Sequence, residues 1–85
     1  MQNEQIEKLL IETLTLSESH VSSEGTHYTV IAVGDCFDGA TRVKKQQMVY
    51  APLKDLISDG TMHAVSIKAF TPTQWQREKS FNLPT

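Results

Sequence analysis

The chain has one cysteine, Cys36, so it can form no internal disulfide. The fold must rest on packing alone, and a closed zinc site built from several thiolates is excluded. A lone thiol fits a reducing compartment. Histidine is scarce as well: His20, His27 and His63 complete the soft-metal inventory, and they are scattered. Long apolar runs are missing. Runs such as Leu9–Ile11 and Val30–Val33 are three and four residues, far short of the ~20 residues that cross a bilayer. The N-terminus carries Glu4, Glu7 and Glu12 rather than the basic and apolar regions of a signal peptide. The expectation is a cytoplasmic protein with no membrane partner.

An excess of positive charge is also missing. The formal net charge is −2, which is no general nucleic-acid signature. The charge is unevenly placed, however. Residues 1–24 hold five Glu against one Lys, and residues 35–54 hold Arg42, Lys44, Lys45 and Lys54 against Asp35 and Asp38. No nucleophile–base motif or carboxylate pair is visible, so enzymatic activity is not expected. Gly34 and Gly39 are not followed by Gly-Lys-Ser/Thr, which excludes a P-loop. The RNA-clamping Gly-x-x-Gly loop of KH domains is absent too.

What is present reads as one domain of 85 residues. A chain this short buries only about 60–65% of its unfolded surface, so the core is thin. Ile6, Leu9, Leu10, Thr13 and Leu14 recur at helical spacing, with Glu4, Glu7, Lys8 and Glu12 on the other side. Residues 16–23 suggest an edge strand. Glu24-Gly25-Thr26 reads as a tight turn, and His27–Val33, rich in β-branched and aromatic residues, completes a hairpin. A loop at 34–39 leads into a second helix from about Thr41, with Val43, Tyr50, Leu53 and Ile57 on one face and Val49 and Leu56 beside them. Pro52 either kinks this helix or opens an abutting one. Asp59-Gly60 closes it. Met62–Phe70 is a third strand, able to run parallel to the second after a helical crossover. Thr71-Pro72-Thr73-Gln74 is a helix start with a capping box, and Trp75 packs that last helix back onto the domain. The expected architecture is α+β in the order α-β-β-α-β-α, a three-stranded sheet with helices on one face. The domain spans residues 1–79, and 80–85 form a frayed tail.

Few residues could carry chemistry. His63, at the start of the third strand, shares a face with Val65 and Ile67. It is either a histidine satisfied by backbone or water, or a metal ligand or partner contact at the sheet rim. His27, past the Gly25 turn, could lie near the same rim. His20 reads as structural or solvated. Cys36 reads as a small buried hydrophobe or, with Lys and Arg nearby, as a thiol of lowered pKa. Arg42, Lys44 and Lys45 occupy the first turn of the second helix, where the macrodipole disfavours cations. They imply an anionic partner or compensation by Asp35 and Asp38.

Several stretches together resemble the BolA family, closest to its short bacterial branch, over residues 4–78. They are Thr26-His27-Tyr28, Val33-Gly34, Phe37-Asp38-Gly39, Arg42 to Tyr50, and Met62-His63-Ala64-Val65-Ser66-Ile67-Lys68-Ala69-Phe70-Thr71-Pro72-Thr73-Gln74-Trp75. The resemblance implies a fold similar to class II KH domains without the Gly-x-x-Gly loop. It implies a monothiol glutaredoxin as heterodimer partner and a [2Fe–2S] cluster shared with that partner and its glutathione, in iron–sulfur trafficking or in iron and stress regulation. His63 matches the family's cluster ligand. The second ligand of many members lies in the loop between the first two strands, where this chain has neither Cys nor His; His27 is the nearest candidate. The alternative implied by the family is a DNA-binding transcriptional regulator using Arg42, Lys44 and Lys45. Alone, the chain would be a monomer or a weak homodimer.

Overall fold

The computed structural model describes residues 2–82. The elements follow the expected order: α1 Asn3–Leu14, β1 Glu18–Glu24, β2 His27–Val33, a 3-10 turn at Asp35–Phe37, α2 Arg42–Ser58, β3 Ala64–Phe70 and α3 Pro72–Asn82. The strands lie in the order β1-β2-β3. β1 and β2 are antiparallel, closed by Glu24 opposite His27, and β3 runs parallel to β2 with Ala64 beside His27 and Phe70 beside Val33.

The local chemistry explains the boundaries. Gly25 has φ +62° and Thr26 does not share the positive region, the pattern of a II′ hairpin turn whose twist matches the strands. Thr41 caps α2 by accepting the Lys44 N–H at 3.1 Å. At α3 the capping box forms in full: the Gln74 N–H donates to Thr71 Oγ1 at 3.2 Å, and the Thr71 N–H donates to Gln74 Oε1 at 2.9 Å. α2 runs through Pro52 as one helix, so of the two expectations there the abutting second helix is not found. α3 continues to Asn82, so residues 80–82 are helical; residues 83–85 of the expected tail lie outside the described residues.

The second half of β2, Val30–Val33, is apolar on both sides, and this decides the layering. Val30 and Ala32 join Ile6, Leu10, Leu16, Val21, Phe37, Val49, Leu53 and Met62 in the main core. Ile31 and Val33 point the other way and meet Trp75 and Phe70. The expectation of helices on one face therefore holds for α1 and α2, while α3 lies on the opposite face. The reason is the central strand itself: a stretch with apolar residues on both sides must be covered on both faces. The buried stripe of α2 also differs from the sequence reading. Val49 and Leu53 are buried, whereas Val43 and Tyr50 remain exposed: Val43 lies in the first turn, ahead of the buried stripe, and Tyr50 is turned about 100° from Val49 around the helix.

Candidate functional site: a histidine at the rim of an apolar groove

His63 does not open β3 as expected; pairing starts at Ala64. The backbone before the strand is nevertheless held on both sides. The His63 and Ala64 N–H groups both donate to Thr26 C=O, at 2.9 and 3.3 Å, and the Met62 N–H donates to Leu56 C=O at 3.1 Å. The side chain is exposed. Its ring passes beside Gly60, where a Cβ would stand 3.8 Å from Nε2. Gly60 itself has φ +86°, which is what favours glycine at the helix stop.

His63 forms one end of an open groove between α2 and β3. Its walls are Tyr50, Ile57, Val65 and Ile67, with Lys54 at the rim. The face shared with Val65 and Ile67 is the one read from alternation. The exposed Tyr50, misread as a core residue, belongs to this groove instead. A partly exposed aromatic beside a rim histidine could have flagged it, since aromatics and Met are enriched at interfaces.

His27 stands at the same end of the sheet, its Cα in register with Ala64. It is exposed, but it shares a face with Thr29 and Ile31, on the α3 side, so the two histidines project from opposite faces. Among the described residues no group of three His, Cys, Asp or Glu comes together where a metal ion could sit. His20 has a defined place: Nε2 lies 3.1 Å from Glu18 Oε1, and the ring stacks on Trp75 with centroids 5.6 Å apart. It is part of the α3 packing, which agrees with its structural reading.

Cys36 fits neither reading of its thiol. It is exposed rather than a buried hydrophobe. Its pKa is raised rather than lowered, because partial desolvation of the sulfur dominates and Asp35 adds to it against a backbone hydrogen bond that lowers it. The thiol is therefore protonated at neutral pH and a poor nucleophile.

The basic group is redistributed. Arg42 and Lys45 border a second groove together with Lys68 and Arg77, while Lys44 lies outside it. Among the described residues no ion pair joins Arg42, Lys44 or Lys45 to Asp35 or Asp38, so local compensation does not account for them. No helix among the described residues is long and apolar enough to cross a membrane.

The profile of BolA-like proteins matches residues 3–74. The chain is 54% identical over 82 residues to the acid stress protein IbaG of Escherichia coli K12, covering 96% of this chain and 98% of that protein. Among solved structures, BolA1 from Arabidopsis thaliana superposes with a TM-score of 0.75 at 26% identity, over 85% of this chain and 93% of that one. The BolA domain of SufE1 from the same plant gives 0.73 at 30% identity, over 84% and 92%. With the profile spanning most of the domain and near full-length identity above half, the chain belongs to the BolA family.

Proposed function

We propose that the protein is a non-enzymatic binding module that pairs with a monothiol glutaredoxin and contributes His63 to a [2Fe–2S] cluster held between them. The observation that carries this reading is an exposed imidazole, fixed by its own backbone, at the end of an apolar groove. The groove walls of Tyr50, Ile57, Val65 and Ile67 offer a partner apolar surface to bury, at about 25 cal/mol per Å². Lys54 at the rim gives that partner a charge to register against.

His63 brings one ligand, and the glutaredoxin thiol and its glutathione would bring thiolates. An imidazole on one iron supplies a higher reduction potential than all-thiolate ligation. His27 takes second place as a ligand, since it starts from the opposite face of the same rim.

The test is reconstitution of the cluster with a monothiol glutaredoxin, glutathione, iron and sulfide, followed by visible absorption and circular dichroism. His63→Ala is expected to alter the spectrum and shorten the cluster lifetime by about tenfold or more, the scale seen when even a supporting partner of a metal ligand is removed. His27→Ala should change it less. An unchanged spectrum and lifetime in His63→Ala removes the assignment.

A further inference from the structure

β3 is an edge strand. The Gly34 N–H donates to Phe70 C=O at 3.0 Å, so Ala64, Ser66, Lys68 and Phe70 turn their main-chain groups toward β2. Val65, Ile67 and Ala69 turn theirs outward. At the centre of that outward row, Gln46 Nε2 donates to Ile67 C=O at 2.9 Å. A side-chain amide there takes the place of the N–H that a neighbouring strand would bring. Gln46 also stands between the two grooves and lines both. The groove away from His63 is bordered by Arg42 and Lys45 of α2, Lys68 of β3 and Arg77 of α3, with Glu78 as the acid in its lining.

We infer that the β3 edge docks an extended acidic segment of a partner protein as a fourth strand, with Gln46 as the placeholder it displaces. Two independent features converge on this occupant. The outward backbone of β3 alternates donors and acceptors, the pattern that strand addition satisfies. The groove beside it is bordered by four cations and one acid, two of the cations sitting in a helix first turn where the dipole opposes them. An anion in the groove offsets that opposition. A nucleic acid suits the site less well, because its backbone offers no regular row of donors at strand spacing to match the outward carbonyls. The inference does not depend on His63, which lies beyond the other end of β3.

The probe is a fluorescent octapeptide of alternating valine and glutamate, compared with the valine–lysine counterpart and a thymidine oligonucleotide of equal charge. Anisotropy gives affinity, and amide hydrogen exchange followed by NMR on the unaltered protein gives the site. The acidic peptide is expected to slow exchange at the Val65, Ile67 and Ala69 N–H groups and to bind at least about tenfold tighter than the basic peptide. Lys45→Glu and Arg77→Glu should each weaken it by about tenfold, and Gln46→Ala should bind it at least as tightly as the parent. Binding that leaves those three amides unprotected overturns the inference. So does tighter binding of the oligonucleotide, which would make the groove a nucleic-acid site. Protection that rises with protein concentration without peptide would make the occupant a second copy and also overturn it.

Discussion

Two residues set sharp local limits. Gly34 is extended at φ −172°, so its glycine is required by space and not by conformation. A Cβ there would stand 2.9 Å from Leu16 Cδ2 and 3.4 Å from Cys36 Sγ. Leu16 is buried and has little room to yield. Gly34→Ala is expected to cost about 1–3 kcal/mol, the range of overpacking, read as a fall in the urea midpoint at constant slope. Asp59 acts through charge. Its carboxyl is held below its usual range by hydrogen bonds from the Thr61 hydroxyl and backbone N–H. A depressed folded value means its contribution is complete above the ordinary carboxylate pKa of about 3.9 and disappears as pH falls through the folded value. In Asp59→Asn that contribution is absent, so Tm curves of parent and variant should separate above pH ~4 and converge in stronger acid; parallel curves throughout would contradict it. Gly34 was visible in the sequence as a glycine after a strand. The reason for it was not, because Leu16 reaches it only through the hairpin.

At the scale of elements, periodicity and end signals located the three α-helices and the three strands, but they misjudged what some polar residues do. Glu7 reads as solvent-facing on α1. In the structure its Oε2 accepts the Val21 N–H at 2.7 Å. Val21 belongs to the outer row of edge strand β1, since Glu24 opposite His27 sets the alternation. Glu7 thus blunts one edge of the sheet against edge-to-edge pairing, while at the other edge Gln46 meets one outward carbonyl. Glu7→Leu is expected to lose about 1.5–3 kcal/mol, the worth of a hydrogen bond to a charged group. Glu7→Gln should lose clearly less, because its amide oxygen can still accept. Equal losses in urea titrations of the two variants would show that the bond contributes nothing. Such contacts escape a sequence reading because helical spacing says which face a residue is on, not which strand edge the helix will overlie.

At the scale of the whole molecule the described residues form two cores of unequal size. The larger lies between the sheet and α1 with α2; the smaller is Ile31, Val33 and Trp75, with Phe70 packed against them. Trp75 is 1% exposed and anchors α3 through ring contacts to Phe70, at 5.4 Å between centroids, and to His20. Trp75→Ala should cost about 3–5 kcal/mol, a large share of the ~5–15 kcal/mol typical of a domain. Amides of α3 should exchange fast in this variant while those of α1 and β2 stay protected. Uniform loss of protection would mean that the two cores form one cooperative unit. The small core also bears on function, because Arg77 of α3 borders the basic groove only while the helix stays docked.

The order of elements, the hairpin, the capping box at Thr71 and the face that His63 shares with Val65 and Ile67 were determined by the sequence alone. Each depends on residues within one turn or one strand of each other. Tertiary structure alone decided that His63 and His27 do not share a face at their common rim, and that Lys68 and Arg77 join Arg42 and Lys45. Those outcomes depend on which strands become neighbours and which face each helix covers, and the burial of both sides of β2 settles that only once the chain has folded around it.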